Sequence, residues 1–300
     1  MSLDVKSLFR KAQRINRPAR IGISGGSGHG KSMTMLRFAS KFAEQTGKRV
    51  AVIDTEKDSA SLYAANVGEV ADSVYRFDFD AFNFEKPYHT AKLVDIIYAV
   101  AADGDYGALC IDSLSHFWFA EGGILDQAHM LEKATRMNSF QAIAKAKEDH
   151  YYPLVEAIIA APIHIIVTLR SKNAYDIGKD ERGKTTITRL GEAPRFEESF
   201  LYELDLSVAM GPGNILSVDK TRYADFAGAL VSQPTREWVT PFADWLRGGV
   251  ENPYVYGDGN EVASVAAKRI FNEYRSENGG AVPESAEALK AWHASKAQAS

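Results

Sequence analysis

Three hundred residues, 45% of them hydrophobic and 25% charged, carry a formal net charge of −4. A chain of that size buries one large α/β core with room for a small appendage, and its acidic balance excludes a bulk polycation, so any nucleic-acid contact falls to local basic patches. The single cysteine, Cys110, lies in an apolar run, which excludes disulfides and a thiol metal site. With no apolar run long enough to span a bilayer and no signal-like N-terminus, the expectation is a cytoplasmic protein without a membrane partner.

The first segment, 1–17, is basic: residues 1–20 hold Lys6, Arg10, Lys11, Arg14, Arg17 and Arg20 against Asp4. Val5, Leu8, Phe9 and Ala12 recur at helical spacing, so a short amphipathic helix is expected, its charges a solvated face or a nucleic-acid arm. Arg20–Ser24 then reads as a buried strand and Lys31–Gln45 as a helix. Between them stands Gly25-Gly26-Ser27-Gly28-His29-Gly30-Lys31-Ser32, a complete G-x-x-x-x-G-K-[ST] (Walker A) signature in the strand–loop–helix setting that a phosphate-binding loop requires. The glycines let successive N–H groups turn toward an anion, and the helix N-terminus adds its positive end. Lys31 reaches the β- and γ-phosphates, Ser32 offers its hydroxyl to Mg²⁺, and Met33 completes the cradle. The chain is expected to bind a nucleoside triphosphate with Mg²⁺.

Val50–Asp54 is the second strand, followed by a helical pattern over His89–Ala102 and a third strand, Ala108–Asp112. An apolar strand that ends in an acid after a phosphate loop places Asp112 as the magnesium-side carboxylate. Ser113 follows it, not Glu, so a catalytic base must come from elsewhere. Glu56, just past the second strand, would emerge on the same sheet rim and can orient and deprotonate water. Ser115–Gly123 is a second candidate nucleic-acid loop, in which Phe117, Trp118 and Phe119 read as core or subunit-contact residues, with base stacking the alternative. Ser113 and His116 do not form a hydrolase pair, because no acid is placed to orient the histidine.

A long helical stretch over Asn138–Ala160 leads to strands at Ile163–Thr168, Leu204–Met210 and Ile215–Val218. The last two are joined by Gly211-Pro212-Gly213-Asn214, a tight hairpin at a sheet edge. Alternating strands and helices argue for an α/β fold with a mostly parallel sheet covered on both faces. Arg170–Arg189 holds six bases (Arg170, Lys172, Lys179, Arg182, Lys184, Arg189) against three acids, with Gly178 and Gly183 as breakers, so a basic, mobile loop is expected there. Its cations could meet phosphates and Tyr175 could stack on a base. A solvated loop or a phosphotransferase lid would read alike. Past Gly248-Gly249 the chain turns Ala- and charge-rich, with two helices expected at Asn260–Glu277 and Glu284–Lys296. The expected organisation is therefore 1–17, a nucleotide domain over 18–249 and a helical extension over 250–300.

The stretch Ala51–Ala64 (AVIDTEKDSASLYA) resembles RecA-type recombinases, in which an I-D-x-E motif supplies the catalytic Glu and a Tyr seven residues on stacks on adenine. Glu56 and Tyr63 have that spacing, and Asp112-Ser113 matches the Asp-Ser that closes the magnesium strand. More broadly, Ile111–Asp126, His164–Tyr175, Leu201–Val208, Val218–Tyr223 and Asp244–Gly249 resemble a phage and prophage family of RecA-like AAA-type ATPases. The resemblance implies a RecA-like P-loop NTPase, an Mg²⁺-dependent ATPase working as a ring or filament on single-stranded DNA in recombination, annealing or repair. It implies that Thr168 senses the γ-phosphate, that Lys220 and Arg222 reach a neighbour's nucleotide, and that a DNA loop follows Thr168. Thr168 as a plain strand residue, Lys220 and Arg222 as surface charge and Tyr63 as a core aromatic remain alternatives. The absence of an N-K-x-D motif favours ATP over GTP. Two other functions stay open: a phosphotransferase on a small acceptor, and a nucleotide-dependent assembly or regulatory module with a protein partner on the C-terminal helices.

Overall fold

The structure, a computed structural model, describes residues 11–66, 68–72, 74–179, 185–250 and 292. The chain divides into two units, Met1–Asn252 and Pro253–Ser300, and the elements below belong to the first. Apart from Trp292, which is helical, the helices expected in the tail lie outside the described residues, as do Val5, Leu8 and Phe9 of the amphipathic segment. Ala12 is not helical, and Ile15 pairs with Val250 in an isolated bridge.

In chain order, β1 (Arg20–Gly25) leads through the glycine loop into α1 (Lys31–Thr46), which closes on Gly47. Next come β2 (Arg49–Asp54), β3 (Asp80–Asn83), α2 (Thr90–Asp103) and β4 (Tyr106–Asp112). The short α3 (His116–Phe119) precedes α4 (Ile124–Ala134), which was not expected from the sequence. Gly123 is its N-cap, and Asp126 in its first turn accepts from Gly122 N–H at 2.8 Å. The long helix expected over Asn138–Ala160 is α5 (Ser139–Ala146) and α6 (Tyr152–Ala160) joined by a π turn, Lys147–Tyr151. Asn138 and Gln141 form a capping box at its start. Then follow β5 (His164–Lys179), β6 (Thr185–Pro194), α7 (Phe200–Glu203), β7 (Leu206–Gly211), β8 (Ile215–Thr221), β9 (Leu230–Ser232) and α8 (Arg236–Arg247).

The nine-stranded sheet runs β3-β2-β4-β5-β1-β7-β8-β9, with β6 paired to β5. From β3 to β7 every neighbouring pair is parallel, and β8 and β9 close one edge antiparallel. The central parallel strands β1, β2 and β4 are buried on both faces, so successive residues alternate between two cores. Val50, Val52, Ala108, Cys110 and Ile166 face a cluster with Phe38 and Phe42 of α1 and Phe242 of α8. Ala51, Ile53, Leu109, Ile111 and Val167 face Leu93 and Ile97 of α2 and Leu154 and Ile158 of α6. This is the α/β architecture expected, a mostly parallel sheet between two helical layers. Among the described residues, no helix is long and apolar enough to cross a membrane.

One expectation is corrected. The backbone after Thr168 is not a loop: β5 continues past the sheet and pairs antiparallel with β6, from Ser171 opposite Pro194 to Lys179 opposite Thr185. Gly178 does not break it but sits in the ladder opposite Thr186, and a register shift at Ala174/Tyr175 absorbs the irregularity. The β-branched run Thr185-Thr186-Ile187-Thr188 supplies strand propensity that outweighs one glycine.

Candidate functional site

Parallel strands bring their carboxyl ends to one rim, and the residues singled out there come from four of them. Gly25 ends β1 opposite Met210 of β7 and Arg170 of β5. A Cβ on Gly25 would lie 2.5 Å from Met210 O, so only glycine lets β1 and β7 stay paired as the chain turns into the loop. Gly30, at φ 85°, forms the left-handed N-cap of α1, and a Cβ there would stand 2.8 Å from Asn214 Oδ1. Inside the loop, Lys31 Nζ donates to Gly26 O at 2.8 Å. His29 Nδ1 lies 3.2 Å from Gly26 N and 3.0 Å from Met210 O. The first turn of α1 carries no acid, leaving its positive end to an anion.

Beneath the loop, Asp112 is 2% exposed and holds two hydroxyls. Ser32 Oγ donates to its Oδ2 at 2.5 Å, and Thr168 Oγ1 donates to its Oδ1. β5 lies between β1 and β4, which puts Thr168 beside Asp112. Burial pushes the Asp112 carboxyl above the usual carboxylate range, and its two hydroxyl bonds only oppose that shift. A buried acid with a raised pKa calls for a cation. The Asp112 carboxylate and Ser32 hydroxyl are the hard oxygen donors that Mg²⁺ takes alongside phosphates and water, so these two residues fit the ion.

Asp54, 1% exposed, ends β2 and organises the turn after it. Its Oδ1 accepts from Glu56 N at 2.5 Å and its Oδ2 from Ala60 N at 2.8 Å. Thr55 is pinned on both sides: Tyr88 Oη donates to its carbonyl at 3.2 Å, and its Oγ1 accepts from Ser113 N at 2.7 Å and lies 2.6 Å from His116 Nδ1. His116 is stacked on Tyr88, and burial, with Arg170 nearby, lowers its pKa. It therefore braces the turn as a neutral imidazole. The turn delivers Glu56 to the rim, where Oε1 accepts from Arg170 Nε at 3.0 Å. The 3₁₀ turn Ala60–Tyr63 then places half-buried Tyr63 against the α1 core and on the same cleft as Met33 and Glu56.

The cleft measures about 570 Å³ and is lined by Gly25, Gly26, Ser27, Gly28, Gly30, Lys31, Ser32, Met33, Glu56, Tyr63, Arg170, Ser171, Arg195 and Asn214. That volume is in the range of small-molecule sites. Arg170, expected among the nucleic-acid cations, thus lines the same cleft as the glycine loop. Arg195 and Asn214 were missed as site residues: Arg195 directly follows the returning strand of one hairpin, and Asn214 lies in the turn of another.

Lys220 and Arg222 are not brought to the phosphate loop. β8 runs antiparallel to β7, so its end pairs Thr221 with Leu206 at the opposite rim. There, Lys220 Nζ donates to Leu201 O at 3.0 Å and Tyr202 O at 2.5 Å, and Arg222 Nε meets the buried Asp205 Oδ1 at 3.1 Å. Both cations hold acceptors of their own chain. Of the other nucleic-acid candidates, Lys172 is exposed at the ribbon root, Tyr175 pairs with Arg189 and Lys179 with Thr185, while Arg182 and Lys184 lie outside the described residues. Phe117 is core, and Trp118 and Phe119 are half-buried.

No curated protein matches the chain. Among solved structures it is similar to the KaiC-like protein PH0186 from the hyperthermophilic archaeon Pyrococcus horikoshii OT3, with 15% identity and a TM-score of 0.40 over 73% of this chain and 93% of that one. The AAA_24 family, an AAA domain, matches residues 17–220, more than half of the chain and all of the rim described above. The protein belongs to that family of AAA-type P-loop domains, a nucleotide-binding fold.

Proposed function

We propose that the protein binds ATP with Mg²⁺ in this cleft, hydrolyses it in a RecA-like manner and couples turnover to single-stranded DNA in recombination, annealing or repair. The observation that carries the reading is the bonded set Ser32–Asp112–Thr168 beneath the glycine loop, with Glu56 on the same rim. Loop N–H groups and Lys31 hold the phosphates, and Tyr63 offers its ring to the base. Ser32 and Asp112 would hold Mg²⁺, which would supply positive charge to the phosphates. Glu56 orients a water toward the γ-phosphorus and takes its proton as the bond to the bridging oxygen breaks. Thr168, through Asp112, ties the γ-phosphate end of the site to β5 and so to the ribbon.

The ribbon supports the DNA part of the reading. A two-stranded antiparallel arm carrying Lys172, Tyr175, Lys179 and Arg189 leaves the sheet at the nucleotide rim. Cations there give salt-dependent phosphate affinity, and an aromatic gives a stacking face. Assembly into a ring or filament is part of the same proposal. The test is ATP turnover with and without single-stranded DNA at low and moderate salt, beside particle size with and without ATP. Several-fold, salt-sensitive stimulation supports the reading. Turnover indifferent to DNA in an unassembled protein removes its polymer half and leaves the ATPase.

A further inference from the structure

The two strands of the ribbon each deliver an arginine to the nucleotide cleft, and the phosphate-loop signature accounts for neither. Arg170 is on the outgoing strand, opposite Gly25, and Arg195 directly follows the returning strand; Arg195 N donates to Arg170 O at 2.6 Å. Both line the cleft with Lys31 and Ser32. Each guanidinium rests on a provisional partner. Arg170 Nε bonds Glu56 Oε1 at 3.0 Å while its backbone N–H is fixed by Ser115 Oγ at 2.9 Å, and Arg195 stands 3.5 Å above the Phe119 ring. The anchored backbone fixes where Arg170 starts, and the long side chain keeps its reach.

Glu56 would activate the water that attacks the terminal phosphorus, and that water must touch both. A cation bonded to Glu56 therefore stands within about one water of the γ-phosphate oxygens and further from the α- and β-phosphates, which belong to the loop. A carboxylate is a monoanion, whereas a terminal phosphate offers more charge and a fork-matched set of acceptors. A ring face is a weaker partner still.

We propose that Arg170 and Arg195 form a terminal-phosphate subsite supplied by the protein's own ribbon, which distinguishes a nucleoside triphosphate from a diphosphate. When a triphosphate enters, Arg170 exchanges Glu56 for phosphate oxygens and leaves that carboxylate to the water, while Arg195 leaves the Phe119 face. With a diphosphate bound, both arginines keep their present partners. The inference rests on the ATP-binding reading above and deepens it by naming what reads the third phosphate.

The experiment is calorimetric titration of the full chain with a non-hydrolysable ATP analogue and with ADP, both with Mg²⁺. Wild type is compared with Arg170→Gln, Arg195→Gln and the Glu56→Gln/Arg170→Gln double variant. Losing one charge-assisted contact weakens analogue binding by about tenfold or more in each single variant, with ADP affinity held within about twofold. The double variant stays as weak for the analogue as Arg170→Gln, since the lost contact is to phosphate. Retention of the wild-type ratio of analogue to ADP affinity in either single variant overturns the proposal. So does equal loss of both ligands, which is a structural effect, or recovery in the double variant, which is unmasked repulsion from Glu56. A wild-type chain that binds neither nucleotide is a different result and sinks the ATP reading itself.

Discussion

Ser32 Oγ donates to Asp112 Oδ2 at 2.5 Å although 80 positions separate the two residues in the chain. One lies in the first turn of the helix after the glycine loop and the other ends β4, and their meeting ties the glycine loop to a buried carboxylate that Thr168 also holds. The predictions follow from that arrangement.

Asp112 costs stability while it is charged and without a cation. Its folded pKa is raised by burial, so the folded state binds a proton more readily than the unfolded one, and stability falls as pH rises through the interval above its ordinary value of 3.8. Asp112→Asn should leave the nucleotide-free unfolding midpoint at neutral pH unchanged or higher, and abolish the magnesium dependence of nucleotide binding. In wild type, magnesium affinity should decline on acidification while the pH is still above the usual carboxylate range, because the ion needs the deprotonated acid. Magnesium titrations of nucleotide binding from pH 7.5 downward check both, and a midpoint clearly lower in the variant would count against the burial argument.

Glu56→Gln keeps the size of the side chain and its bond to Arg170 while removing the base. Turnover should drop by about 100-fold or more, the usual yield of general base catalysis, with ATP binding retained. Steady-state turnover and equilibrium binding measured on one preparation decide it, and wild-type turnover would remove Glu56 from the mechanism.

The ribbon cations are tested by salt. If Lys172, Lys179 and Arg189 meet DNA phosphates, each alanine substitution should lower the slope of log affinity against log salt by about one, at little cost to ATP binding. Slopes equal to wild type would move any DNA contact off the ribbon.

His164 sets an acid limit on the fold. It is half-buried and packed against Phe42, ring centroids 4.0 Å apart and nearly parallel, and its Nδ1 accepts from Ala19 N at 2.9 Å. Burial pushes its pKa down to about 3 from an ordinary 6.5. The unfolded chain therefore takes a proton below pH 6.5 that the folded chain refuses, and stability is lost as pH falls from there toward 3. Between neutral pH and pH 5 the loss is about 2 kcal/mol. Urea unfolding at pH 7 and pH 5 measures it, and His164→Asn, which keeps an acceptor near Ala19 N, should lose most of the difference.

The local parts of this protein were legible in its sequence. The eight residues Gly25–Ser32 define a phosphate loop because the constraint is local: positive φ at Gly30, close backbone approach at Gly25 and a helix start within a few positions. Asp112 was legible for a similar reason, since an apolar strand that ends in a polar residue marks a sheet rim, whereas Thr168 was named through the RecA-type resemblance and lies inside β5, which runs on to Lys179. The alternation of strands and helices carried the α/β class. Tertiary structure decided what depends on pairing between distant segments. Whether Arg170–Arg189 is a loop or a ribbon turned on the register between Ser171 and Pro194 and its neighbours, which composition does not encode. Arg170 could not be separated from the basic residues after it until parallel pairing placed it opposite Gly25 and beside Glu56. The antiparallel turn of β8 carried Lys220 and Arg222 to the opposite rim, because strand direction, not distance along the chain, sets the end of the sheet at which a residue emerges.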